Sequence, residues 1–196
     1  MSAHGNNASP LRISTRPARR VIFSVSQVYI PDDGSFEFKG PSRAYGFEAK
    51  SSVHITRHIA WSGAVMKLAN AYYRGATPRI YLDSAPHFVA SSGLLMSPWK
   101  LWTASVTMRA INRYRLDGLD AAIVASGHTV FNAAVSRQVR RGVELSLSAD
   151  NLTNRDYYEN YFVSRLSGSA PVARIHGTPG YPLKLTAGVT IRLFGK

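Results

Sequence analysis

Apolar and polar residues alternate with a period of two along most of this chain, in eight segments of ten or more residues. Period two is the signature of a strand with two different faces, because successive side chains point to opposite sides. The first segment, about 20–30, sets Val21, Phe23, Val25 and Tyr29 against Ser24 and Ser26. The second, about 44–56, puts Tyr45, Phe47, Ala49, Val53 and Ile55 on one face and Glu48, Lys50, Ser52, His54 and Thr56 on the other. A third, about 58–73, alternates less cleanly, and a fourth runs from about 86 to 96. In the fifth, about 99–114, Trp102, Ala104, Val106, Met108, Ala110 and Tyr114 oppose Thr103, Ser105, Thr107, Arg109 and Arg113. The sixth, about 127–139, groups Phe131, Ala133 and Val135. The seventh sets Val143, Leu145, Leu147 and Ala149 against Glu144, Ser146, Ser148 and Asp150. The last, about 183–194, lines up Leu183, Leu185, Ala187, Val189, Ile191 and Leu193.

The connections run long (31–43), short (57), long (74–85), short (97–98), long (115–126), short (140–142) and long (153–182). A soluble sandwich has no reason to keep its long loops at one end, whereas outer-membrane barrels do so, with short periplasmic turns and long outer loops. Strands of about 11–15 residues also exceed the usual soluble five or six and suit a tilted crossing of hydrocarbon. Tyr29, Tyr45, Tyr72, Tyr73 and Tyr114 fall where strands meet long loops, and Trp61, Trp99 and Trp102 fall beside short turns. Two such bands are expected of aromatics at the membrane interfaces. A Lys or Arg facing mid-bilayer costs about 2–4 kcal/mol, and the apolar faces of the second, fifth, seventh and eighth segments carry none. The pattern predicts an all-β, antiparallel, up-and-down transmembrane barrel segment of about eight strands.

Composition narrows the alternatives. An apolar share of 45% and a mean hydropathy of −0.12 exclude a helical membrane bundle, and no run of 18 apolar residues occurs. A barrel hides in that average, since every second residue faces the lumen. The absence of Cys excludes a disulfide framework and thiolate metal sites. The formal charge of +13 is a nucleic-acid signature in a soluble protein. Here Arg12, Arg16, Arg19 and Arg20 form the densest run and the other arginines are scattered, which makes nucleic acid an unlikely partner. Lumen lining, anionic substrates and lipopolysaccharide phosphates use the same charge. Residues 1–19, with Gly5, Pro10 and Pro17, read as an irregular polar leader ahead of a barrel portion over 20–196, and no secretory signal is visible in them.

Four short stretches carry a family resemblance. Asn151-Leu-Thr-Asn-Arg-Asp-Tyr-Tyr158 ends the penultimate strand, Gly177-Thr-Pro-Gly-Tyr-Pro182 leads into the last, and Tyr45-Gly-Phe-Glu48 and Ala85-Pro-His-Phe88 open two others. In this order and spacing they resemble the carboxy-terminal part of the TonB-dependent outer-membrane receptors, over residues 20–196. The resemblance implies part of a barrel of about 22 strands closed by an amino-terminal plug. It also implies nutrient uptake, of ferric siderophores, cobalamin or the like, driven through the TonB complex. The partners it implies are outer-membrane lipid and lipopolysaccharide, the plug, the remaining strands, and the TonB complex through the amino-terminal part; the location is the bacterial outer membrane. Departures are equally plain. About eight strands stand for 22, no plug, TonB-contacting segment or signal peptide is read, and the usual terminal aromatic is followed by Gly195-Lys196, Phe194 having lumen-side parity with Arg192 beside it. Eight such strands leave two unpaired edges, so the expectation is a truncated or split receptor that does not transport alone.

Candidate chemistry is sparse. His4, His54, His58, His87, His128 and His176 show no metal-ligand spacing, and nothing resembles a nucleophile elbow or phosphate loop, so neither an enzyme nor a cofactor is expected. Substrate contact is expected in the last long loop, where Arg155, Asp156, Tyr157, Tyr158, Tyr161, Arg165, Arg174 and His176 offer cationic and aromatic groups to an anionic chelate. A solvated loop touching lipopolysaccharide accounts for the same residues. Two other classes stay open: a self-contained eight-strand outer-membrane barrel for adhesion or structure, and a soluble basic β-domain that binds nucleic acid or a small ligand.

Overall fold

In a computed structural model, residues 12–23, 26–30, 35–166 and 172–192 are described, with side chains from Gly40 onward apart from Phe162, Arg165, Leu166 and Val172. All regular structure among them is β. In chain order the strands are β1 (Arg12–Phe23), β2 (Ser26–Ile30), β3 (Ser35–Lys39), β4 (Ser42–His54), β5 (Ile59–Tyr73), β6 (Phe88–Trp99), β7 (Trp102–Ile111), β8 (Tyr114–Arg115), β9 (Val124–Ala125), β10 (His128–Arg140), β11 (Val143–Asp150), β12 (Tyr158–Leu166), β13 (Val172–Pro179) and β14 (Lys184–Ile191). Eight of them form one antiparallel up-and-down sheet, β1-β4-β5-β6-β7-β10-β11-β14, whose two end strands are not paired with each other. β2–β3, β8–β9 and β12–β13 are separate hairpins inside three of the four long connections.

The predicted alternation of long and short connections is present, with adjustments at proline. The edge strand begins at Arg12 rather than about residue 20, so residues 12–19, expected to be irregular, pair with β4. Pro17 lies inside a register shift between Arg16 and Arg19, and edges and bulges are where a residue without an N–H is tolerated. Residues 1–11 and 193–196, with Phe194, lie outside the described residues. β6 likewise runs past Ser97-Pro98, where a turn was expected, through a shift between Met96 and Trp99. The turn is Lys100-Leu101, both at positive φ (50° and 72°), the left-handed pair that matches the twist of a tight hairpin. The expected fifth strand stops at Ile111, and Tyr114 belongs to the β8–β9 hairpin.

Directly paired residues of an antiparallel ladder share a face, and the register sorts the sheet into two. One row across seven strands reads Val53, Trp61, Leu94, Val106, Ala133, Ala149, Leu185. The next reads Ile59, Met96, Ala104, Val135, Leu147, Ala187. Most of this face is uncovered: Leu147, Val189 and Leu185 are 50%, 64% and 66% exposed. The innermost charges on it among the described residues stand at its margins, Arg137 paired with Trp102 at the short-turn end and Lys67 paired with Phe88 at the other, with Arg140 and Arg43 beyond them. From Trp102 to Asn112, the positions level with Arg137 and Lys67, is ten residues: about 34 Å of strand, or about 25 Å along an axis tilted ~40°.

Most of the buried side chains lie toward the long-loop end. Ala71, Tyr73, Leu116 and Ala125 are buried there, beneath a connection whose Ile80 carbonyl accepts from Tyr73 N and whose Leu82 N donates to Ala71 O. Gly118 packs against the Tyr81 carbonyl so closely that a Cβ would lie 2.0 Å from it.

Candidate binding surface on the polar face

The other face is polar and lined with small residues. Its rows read Lys50, Ala64, Ser91, Arg109, Val130 and Ser52, Ser62, Gly93, Thr107, Asn132. With so little side chain over β5 and β6, the sheet leaves a hollow of about 720 Å³ bounded by Lys50, Arg109, Asn132, Glu159, Tyr181 and Lys184.

Arg109 rises from β7 to meet Glu159 of β12, Nη2 lying 2.8 Å from Oε1 and 2.9 Å from Oε2. The Tyr157 hydroxyl donates to the same carboxylate (2.9 Å), and its ring lies 4.7 Å from that of His128 at 44°. The Arg109 hydrogen bond holds the Glu159 carboxyl below the usual carboxylate range, against an upward pull from burial. Burial first, then Glu159, pushes the Tyr157 phenol up. His128 is 6% exposed and its Nε2 has no partner among the described residues. Gly180 N donates to Tyr157 O (2.8 Å), and a Cβ at Gly180 would stand 2.2 Å from the Tyr157 ring. This corner therefore requires glycine.

The Asn151–Asn154 stretch sets this geometry. Asn151, 2% exposed and at φ 49°, donates through Nδ2 to the Arg155 and Tyr181 carbonyls (2.8 and 3.0 Å). Its Oδ1 accepts from Arg155 N, and its own N–H donates to Asn132 Oδ1 (both 2.9 Å). Asn154 Oδ1 accepts from Leu183 N (2.9 Å), at the entry to β14. The stretch is a clasp that joins β10, β11, the start of the long connection and β14. Its amides face backbone, not a ligand.

The residues expected to contact substrate are dispersed. The connection holding them is not an open loop but the β12–β13 hairpin, because Tyr158–Leu166 pairs with Val172–Pro179. Tyr157 joins Glu159 and Arg109. Arg155 and Asp156 are exposed beside the clasp. The Tyr158 and Tyr161 rings lie 5.3 Å apart, tilted by 44°, near the hairpin base. His176 Nε2 lies 2.8 Å from Ser164 Oγ, and exposed Arg174 pairs with Ser164, about 20 Å of strand beyond Tyr158. Arg165 pairs with Ala173, and its side chain lies outside the described residues. Sequence reasoning missed Glu159, Lys50, Lys184 and the role of Arg109. Their only signal is parity, since Arg109 and Lys50 stand on polar faces, and no spacing links positions 109 and 159.

The expected interface aromatics divide similarly. Trp99 and Trp102 pair across the tight turn, with Lys100 Nζ 5.2 Å and Arg137 Cζ 5.0 Å from the respective rings. Trp61, two rows in, donates from Nε1 to Ser92 Oγ (2.9 Å). At the opposite end Tyr45 and Tyr72 lie under Arg43 and Arg79, at 5.8 and 4.7 Å. Tyr73 is buried beneath the connection after β5, and Tyr114 is half-buried in its hairpin. The Tyr29 side chain lies outside the described residues. Among the described residues, no three His, Asp or Glu gather as metal ligands.

No family sequence model matches the chain, and no curated protein matches it in sequence. Solved structures match in shape. The copper transporter OprC aligns at a TM-score of 0.67 and 19% identity over 94% of this chain and 28% of its own. The siderophore receptor PiuA from Acinetobacter baumannii aligns at 0.65 and 16% identity, over 96% and 26%. The closed form of the ferric-catecholate import receptor Fiu from E. coli K12 aligns at 0.63 and 19%, over 88% and 24%. The chain thus spans about a quarter of the length of the structures it matches. In fold, the chain is similar to a stretch of these transport receptors, as an antiparallel sheet whose end strands are not paired with each other.

Proposed function

We propose that the chain is the carboxy-terminal part of the barrel wall of a TonB-dependent receptor for nutrient uptake, crossing the outer membrane with its eight long strands and not competent for transport alone. The observation that carries this is the uncharged outward band of about 25 Å on a sheet whose end strands remain unpaired with each other. Lipid and lipopolysaccharide face that band. A plug, the other strands and, through the amino-terminal part, the TonB complex complete the transporter. The solved structures alike in fold include receptors for siderophores and a copper transporter, and a ferric siderophore, cobalamin or similar nutrient is the substrate class. The last long connection, with Arg155, Asp156, Tyr157, Tyr158, Tyr161, Arg165, Arg174 and His176, meets it from the outer side. The sheet serves as wall, not as an enzyme.

Membrane fractionation with an added export signal tests the location: the chain is expected with outer-membrane lipid and resists a urea wash. Recovery in the soluble fraction would overturn the reading. Siderophore uptake by cells that make the chain alone would overturn its lack of transport competence.

A further inference from the structure

Arg109 is the most engaged cation of the polar face, yet it is engaged imperfectly. Both Glu159 oxygens approach a single nitrogen, Nη2, whereas a guanidinium offers a carboxylate two parallel N–H donors. The bridge is the one ion pair between the wall and the β12–β13 hairpin among the described residues. Two further cations flank it. Lys50 stands in the same row three strands away on β4. Lys184 comes from β14, three strands away on the opposite side. Each backbone is about 14 Å from β7, both side chains are exposed, and all three line one hollow. Neither lysine has a hydrogen-bond or ion-pair partner among the described residues. Against these cations the hollow holds two carboxylates, Asp150 and Glu159. At the same corner the buried His128 Nε2 lacks a partner among the described residues.

We propose that this hollow binds a compact polycarboxylate anchored on Arg109, and that Glu159 holds the anchor in the ligand's absence. The ligand's carboxylate takes both guanidinium nitrogens, Glu159 leaves, and a second carboxylate meets Lys50 or Lys184. Binding exchanges one charge-assisted contact for a better one and unties the hairpin from the wall at this point. The inference rests on reading this face as the lumen side of a receptor barrel, and it adds a wall site to the loop residues proposed above.

The test is titration calorimetry of the full chain, folded in detergent micelles, with tricarballylate at low salt. Arg109→Gln is expected to weaken binding at least about tenfold, the worth of one charge-assisted hydrogen bond. Arg109→Lys, which keeps the charge but not the fork, should fall between. Glu159→Gln is expected to bind about tenfold tighter than the parent, because the internal competitor is gone. Weakening by Glu159→Gln would make the bridge purely architectural and overturn the proposal. So would absence of binding to both parent and Glu159→Gln, or equal affinity for sulfate at the same ionic strength. A chain that enters membranes without binding tricarballylate overturns this site alone. A chain that binds it but stays out of membranes overturns the receptor reading and leaves the site standing.

Discussion

The side-chain amide of Asn151 donates to the carbonyl oxygen of Tyr181, thirty residues later, at 3.0 Å. With the donation to Arg155 O and the acceptance from Arg155 N, this one buried side chain makes three hydrogen bonds. At about 1 kcal/mol each, Asn151→Ala is expected to destabilise the folded sheet by about 2–4 kcal/mol, a figure that includes the strain of alanine at positive φ. Asn151→Asp should cost at least as much, because a carboxylate then faces two carbonyl oxygens. Urea midpoints of the folded protein in detergent check both.

The two faces of β7 make a paired test. Val106→Arg places a charge in the middle of the outward band and is expected to cost about 2–4 kcal/mol in lipid vesicles. Thr107→Arg, one residue along but on the polar face, should cost under about 1 kcal/mol. In detergent-free buffer the difference should vanish. Equal costs in vesicles would contradict the assignment of faces.

Glu159 makes the hairpin sensitive to acid. Its carboxyl titrates below the usual range when folded, chiefly through the Arg109 hydrogen bond. The bridge therefore contributes fully above the unfolded carboxyl's pKa and is lost as pH falls through the lower, folded value. Protease cleavage within residues 155–180 should rise as pH drops below about 4. Glu159→Gln should flatten that dependence, leaving cleavage high throughout.

Lys100 and Leu101 hold left-handed backbone with side chains that disfavour it. Replacing the pair by Asn-Gly, the usual choice for this turn, is expected to stabilise the protein by about 1 kcal/mol. Leu101→Val, β-branched at the same φ, should destabilise it by a similar amount. Thermal midpoints in detergent report both.

Alternation in residues 102–110 and 143–150 was legible because each residue there has a fixed side and the two sides meet different surroundings. Where a proline enters, as at Pro17 and Pro98, a residue without an N–H reads as a break. The strands instead bulge and continue, since only the backbone pairing partner decides. Tyr158–Leu166 and Val172–Pro179 stayed hidden for another reason. That hairpin stands apart from the main sheet, so no second layer imposes a two-sided pattern on it. The Arg109–Glu159 bridge joins elements fifty residues apart, and no local regularity could announce it. Asn151–Asn154 was legible as a motif, but its work is architectural.

Because every strand of the wall pairs only with its neighbours in sequence, the sheet is a series of hairpins, β4–β5, β6–β7 and β10–β11, each closed by its own tight turn. A break in the gene within any long connection would sever one ladder and leave every hairpin whole. A wall of this kind grows, shrinks or recombines in steps of two strands, with its polarity preserved at each step.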